Sequence, residues 1–316
     1  MKILCIGHAT YDITLTTKEY PEENIKLYVD GRVECGGGPA SNAAYLLGKW
    51  GMDTTFVGLI GNDLYGKKIK EEFEAVNVDT KYLKMDNSKE TTTSMIIANT
   101  TKGTRTILTY KNNNIKMEDI DLDFEPDVIL VDNQEPELSK MMLKRYPKAI
   151  SIMDAGRSSK EAEEISHLVN YVACCHEFAE FVTGLEMDYN NPKTLLEVYT
   201  KMDQLYDSEV IITLESHGCL FKKDNKVILL PSIKVTAVDS TGAGDIFHGA
   251  LTYGLANNYP LEEALKIGNI AGALSVEKVG SRNSIPSKEE MKKYYHEFKW
   301  CDICWFTTFF RPSRSR

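Results

Sequence analysis

The chain has 316 residues, 42% hydrophobic and 26% charged, with a formal net charge of -9. This is globular composition, long enough for one large α/β domain or two ordinary ones, and it excludes a disordered chain, a collagen and a coiled coil. An acidic chain without a basic block suits neither nucleic acid nor an anionic membrane, and no run of 18 or more apolar residues is present to span a bilayer.

The N-terminus, MKILCIGHATYDI, reads directly as a strand over 2–7 rather than as a signal peptide. Two more polar strands follow at 12–17 and 27–35. Three glycines and Pro39 then open a helix over 40–50, which Gly51 ends. A strand at 54–59 and a charged amphipathic helix at 65–76 come next. A second polar pair, 92–100 and 104–110, is joined by a Lys102-Gly103 turn. Threonine-rich strands of this kind suit a sheet with one face in water. Beyond residue 126, apolar strands at 128–132, 149–154, 171–175 and 210–214 alternate with helices at 137–146, 159–169, 178–184 and 192–206. That alternation predicts a parallel sheet covered by helices. Two long helices, 243–257 and 261–278, close the domain.

The seven cysteines are odd in number and scattered, which predicts a reduced, cytoplasmic protein rather than a disulfide scaffold. Cys301 and Cys304 form half a zinc-binding pattern with no second pair nearby. Residues 299–316 therefore read as a disordered or non-native extension. Cys174, Cys175 and His176 read as a buried strand end.

The densest chemistry is Asp239-Ser240-Thr241-Gly242-Ala243-Gly244-Asp245, directly before a helix. Small residues at 242–244 leave backbone N–H groups uncovered where the macrodipole is positive, which makes an anion site. Asp245 beside that site could take the proton of a hydroxyl attacking a bound phosphate, although a capped helix start accounts for the same residues. Gly36-Gly37-Gly38-Pro39-Ala40-Ser41-Asn42 allows close backbone approach to a ligand, and Asn42 can face a polyol. A flexible loop before a helix is the plainer alternative. Gly58 to Gly66 reads as a strand-to-helix turn with an Asx cap, and Asp12 as a lone acid at a strand end. His248, one turn after Asp245, reads as a packed residue; His8 and His217 lie at strand ends, within reach of a ligand. No dinucleotide fingerprint, Walker A loop, His-Glu-x-x-His or Gly-x-Ser-x-Gly occurs, so a nicotinamide oxidoreductase, a zinc protease and a serine hydrolase lack their motifs.

Together, and in this order, these motifs resemble the ribokinase-like (PfkB) carbohydrate kinase family over about residues 1–298. The resemblance implies a doubly wound, mostly parallel α/β sheet with helices on both faces, made of 1–11, 37–89 and 111–298, and a small β-sheet lid from 12–36 and 90–110. It implies transfer of the γ-phosphoryl group of ATP to a hydroxyl of a small sugar, with Asp245 as base and the amides of Gly242, Ala243 and Gly244 as anion hole. Asp12, Gly37, Gly38, Asn42 and Glu135 would contact the sugar. Thr213, Gly218 and Asn269 would hold the nucleotide. Asp239, Gly280 and Ser284 would surround a monovalent cation such as K+, and homodimers would form through the lid. The family's Asn-x-x-Glu motif, tied to Mg2+, is absent: Cys175 and Phe178 take its two places, and Glu177 is one residue out of register. Glu215 replaces a customary glycine. A nucleoside kinase of the same family, and a non-catalytic sugar or nucleotide sensor on the same fold, are the alternatives; the sensor would be expected to lack the base.

Overall fold

The computed structural model describes residues 1–111, 116–297 and 304–305. One sheet of ten strands forms the body, in the order β14-β13-β12-β11-β10-β9-β8-β1-β4-β5. Its parallel centre consists of β1 (Lys2–Ile6), β4 (Asp53–Gly61), β5 (Leu83–Asp86), β8 (Val128–Val131), β9 (Ile150–Ala155), β10 (Tyr171–Cys175) and β11 (Glu209–Thr213). Beyond β11 the ladder turns antiparallel through β12 (Cys219–Lys223), β13 (Lys226–Leu230) and β14 (Cys304–Trp305).

Alternation along β1 shows why the sheet is covered on both faces. Ile3 and Cys5 join one core cluster, Leu4 and Ile6 the other, and all four are fully buried. The first cluster takes its helical side chains from α1 (Pro39–Lys49), α2 (Leu64–Ala75), α7 (Ala243–Ala256), α8 (Leu261–Ser275) and α10 (Lys288–Glu297). The second takes them from α3 (Pro136–Arg145), α4 (Lys160–Ser166), α5 (His176–Thr183) and α6 (Pro192–Leu205).

A separate four-stranded sheet, β3-β2-β6-β7, comprises β2 (Thr10–Thr17), β3 (Gly31–Gly37), β6 (Thr93–Asn99) and β7 (Thr104–Tyr110). β2 pairs parallel with β6 and antiparallel with β3. The two-faced α/β sheet and the small separate β-sheet both hold as expected.

Several details differ. The strand expected at 27–35 begins at Gly31 and runs into the glycines, because its partner β2 starts early and pairs Thr10 with Gly37. Strand β5, the β12–β13 hairpin, α9 (Ser281–Ser284) and α10 were not foreseen. The hairpin turns on Asp224 and Asn225, whose φ values of 50° and 59° suit a two-residue primed turn. The segment 299–316, expected to be disordered or non-native, lies outside the described residues except for Cys304–Trp305, which pair with β13. Cys301 is also outside them.

Candidate active site

Gly242 is left-handed, at φ 76° and ψ 3°, and turns the chain into α7. A Cβ added at Gly244 would meet nothing within 4 Å, so the first turn of this helix opens onto free space with its amides facing out. Asp245 stands in that turn. It keeps some surface open to the cleft, yet enough protein surrounds its carboxyl to push the pKa up to about 6, and the Asp154 charge adds to the shift. Asn42 opposes this: its Nδ2 donates to Asp245 Oδ2 at 2.7 Å. Two motifs 203 positions apart thus meet at one carboxylate.

The three glycines before α1 are each required by a neighbour. A Cβ at Gly36 would overlap the Arg282 guanidinium, one at Gly37 the Asp12 carboxylate, and one at Gly38 the carbonyl of His8. Asp12 is 5% exposed, and burial raises its pKa to about 7, with the charge of Asp245 contributing. Among the described residues, Asp12 Oδ1 and Asn42 Oδ1 are buried acceptors without a partner. Two such acceptors near the Asp245 carboxylate can take the hydroxyl donors of a polyol.

Glu135 sits at the N-cap of α3, and its Oε2 accepts from Met117 N at 3.1 Å. Thr213, Gly218 and Asn269 gather around the β11–β12 turn. Thr213 Oγ1 donates to Cys174 O at 3.1 Å, and Asn269 Nδ2 donates to Leu230 O at 3.1 Å. Gly218, at φ 104°, packs against that same Leu230 carbonyl.

Asp239, Gly280 and Ser284 also come together, but as a hydrogen-bonded clasp. Asp239 accepts from Thr241 N at 3.0 Å, Thr241 Oγ1 at 2.6 Å and Gly280 N at 2.9 Å. Ser284 Oγ donates to Ser281 O at 2.7 Å. In this arrangement the groups join two loops. Glu177, whose side chain is 69% exposed, accepts from Cys175 Sγ at 3.3 Å. Among the described residues no group of three or more His, Cys, Asp or Glu is placed to hold a metal. Asp63 does cap α2: it accepts from Gly66 N at 2.9 Å and ties the lid entry through Thr91 N at 2.8 Å. His217 Nδ1 lies 3.2 Å from Leu214 O.

Three features escape sequence reading. Arg282 is 2% exposed; it donates to Glu72 Oε2 at 2.7 Å and to Ser41 Oγ at 2.6 Å, while Gly36 N donates to the same Glu72 oxygen at 2.9 Å. This pair, its guanidinium buried and its carboxylate part-exposed, fastens α9, α2 and the glycine loop. Arg105, on the lid, donates to Ser240 Oγ at 2.8 Å and latches β7 to the anion loop. His248 is packed, as expected, but against a charge: its Nδ1 stands 2.9 Å from Asp154 Oδ2, off the line of a hydrogen bond. Burial pulls this imidazole toward neutrality; Asp154 and Asp245 outweigh it and leave its pKa raised.

The sequence matches the pattern of pfkB family carbohydrate kinases over residues 1–288. It is 26% identical to the ribokinase of Staphylococcus aureus over 303 residues, covering 92% of this chain and 99% of that one. The ribokinase structure from Thermotoga maritima superposes with a TM-score of 0.76 at 26% identity, covering 94% of this chain and 99% of that one. The Arabidopsis thaliana ribokinase, solved with ribose and ATP, gives 0.78 at 21% identity, covering 94% and 99%. The chain belongs to the pfkB family of carbohydrate kinases, phosphotransferases that act on an alcohol group.

Proposed function

We propose that this protein transfers the γ-phosphoryl group of ATP to a hydroxyl of a small sugar-like acceptor, with Asp245 as general base. The acceptor lies over Gly37 and Gly38 between Asp12, Asn42 and Glu135. The nucleotide runs from the amides of Gly242, Ala243 and Gly244 toward Thr213, Gly218 and Asn269. Asp245 takes the hydroxyl proton, the freed oxygen bonds the γ-phosphorus, and the bond to the β-phosphate oxygen breaks to release ADP. The amides stabilise charge on the transferred group. Mg2+, arriving with ATP, would offset phosphate charge; no step of the protein's own chemistry is assigned to it or to K+. The lid excludes water, so phosphate passes to the acceptor and not to solvent.

The observation that carries this reading is the 2.7 Å contact between Asn42 Nδ2 and Asp245 Oδ2, which ties the acceptor loop to the base at the mouth of the anion helix. A sensor on this fold has no need of a base so placed. The free buried cysteines among the described residues favour the cytoplasm. The exposed apolar side chains of Met95, Ile107, Leu108 and Tyr110 on the lid favour a homodimer through it. The test is ADP release over sugars, sugar acids and nucleosides, with wild type and Asp245→Asn. Turnover of the best acceptor should fall on the order of 10²-fold or more in the variant. Near-normal turnover would reject the base.

A further inference from the structure

We infer that His248, held as an imidazolium by Asp154, is a positioning residue of the transfer: this buried ion pair keeps the Asp245 carboxylate ionised. The inference rests on the kinase reading above and adds the groups that make its base competent.

The backbone sets the pair beside the base. Asp245 and His248 are three residues apart on α7, so they share one face of that helix. Asp154 lies near the end of β9, and α7 packs on that strand. His248 Nδ1 stands 2.9 Å from Asp154 Oδ2, and the two side chains are 3% and 2% exposed. Asp154 Oδ1 accepts from Gly156 N at 3.1 Å. Its Oδ2 and both imidazole nitrogens make no aligned hydrogen bond among the described residues. Charge must therefore offset the burial of both groups. An apolar pair of the same shape would join β9 to α7 at a lower desolvation cost.

The surroundings of the ring call for a proton on it. Asp154 offers a carboxylate and Ala173 a backbone carbonyl, and both favour the charged form. A neutral imidazole has only one N–H to offer two acceptors. Burial opposes the charge, but Asp154, with Asp245 behind it, leaves the His248 pKa raised. The cation then acts on the base. Burial, then the charge of Asp154, raises the Asp245 pKa, while His248 lowers it. Two neighbouring buried carboxylates without a counter-charge keep a proton on one of them. A protonated Asp245 has no place for the proton of an attacking hydroxyl.

The other groups around α7 do not supply this cation. The helix packs against α1, α8, β8 and β9. From α1, Asn42 is a neutral donor to Asp245. Asp132, just after β8, adds negative charge toward Asp154. Cys174 on β10 stays a neutral thiol, its pKa raised by burial. Helix α8 meets α7 through Gly268 and Gly272, while its Glu262 turns to Lys223 and its Lys266 to the Tyr295 ring. On the lid, Asp12 couples to Asp245 with like charge, and Arg105, which donates to Ser240 Oγ, pulls less than His248 does.

Isotope-labelled histidine in the full chain is titrated by NMR over about pH 5–9, with His248→Gln assigning the signal. The His248 midpoint should lie above the ordinary 6.5 and drop in both Asp154→Asn and Asp245→Asn. In parallel, kcat/KM of the best acceptor is followed against pH. Its acid limb, near pH 6 in wild type, should move up by about one unit in His248→Gln. That is a loss of about 10-fold on the acid side and little above about pH 8. Adding Asp154→Asn removes the uncompensated charge and should return the limb toward wild type. A merely structural pair predicts a loss equal at every pH and no return. That result, or a wild-type midpoint at or below 6.5, overturns the inference and leaves the kinase reading standing. No ADP release with any acceptor, together with a raised His248 midpoint that falls in Asp245→Asn, rejects the kinase reading and supports the hold of the pair on this carboxylate. A midpoint indifferent to Asp245→Asn overturns the inference whatever the turnover.

Discussion

Replacing Gly244 by alanine should raise stability and lower activity together. Gly244 lies in the first turn of α7 outside the left-handed region, and its added Cβ would meet nothing within 4 Å. Alanine therefore costs the unliganded fold no contact, and it narrows the unfolded chain, a gain of about 0.5–1 kcal/mol. In the proposed mechanism the same methyl enters the space where a phosphate approaches the amides. Losing one charge-assisted hydrogen bond of about 1.5–3 kcal/mol corresponds to a factor of roughly 10 to 150 in kcat/KM for ATP. Thermal unfolding without nucleotide and steady-state kinetics with ATP varied measure the two effects separately. A variant with higher Tm and unchanged kcat/KM for ATP would refute the phosphate site at this turn. A variant with lower Tm would refute the claim that the turn opens onto free space.

Asp245→Asn should show a pH-dependent stability gain. The folded pKa of about 6 lies above the ordinary 3.8, so the contribution of this carboxyl is full below pH 3.8 and lost as pH rises through 6. The variant should exceed wild type by on the order of 3 kcal/mol at pH 8 and match it near pH 3.5, read by urea unfolding; equal differences at both would contradict the buried carboxylate. Wild-type activity should fall on the acid side near pH 6 for the same reason, and a flat profile from pH 5 to 8 would reject the link. Gly37→Ala pushes on the Asp12 carboxylate, so the acceptor KM should rise while the KM for ATP holds, with about 1–3 kcal/mol lost to overpacking; equal changes in both constants would place Asp12 elsewhere. Arg282→Met should cost about 1–3 kcal/mol by removing the buried guanidinium's bonds to Glu72 and Ser41, and adding Glu72→Leu should recover part of it; no recovery in the double variant would mean the pair is not the source.

Periodicity and caps made most of the body readable. Strand 171–175 and the start of α7 at Ala243 stand where local pattern places them, because apolar runs and glycine turns act through neighbours in sequence. The shift of β3 into Gly36 and Gly37 was not readable: glycine has low strand preference, and pairing with β2 overrides it. The β12–β13 hairpin did carry its signal, the Asp224-Asn225 pair between two apolar stretches. The core of the candidate site was visible as two motifs, but not the contact that joins them. Arg282 meets Glu72 across 210 positions, and His248 meets Asp154 only because the sheet sets β9 beneath α7. No local rule reaches such pairs.

The lid topology bears on the order of assembly. Its central strands, β2 and β6, pair in parallel with Tyr11 opposite Thr93, so that ladder closes a loop holding β3, α1, β4, α2 and β5. A parallel pairing of such separation cannot form ahead of the elements between its halves without a large loss of chain entropy. The β6–β7 hairpin can form early, but β7 is exposed along its whole length and gains little burial alone. The lid should thus be the last unit to dock during folding and the first to open under native conditions. Amide hydrogens of β2 and β6 should exchange with solvent sooner than those of β1 and β8, where every strand residue beyond Lys2 is buried.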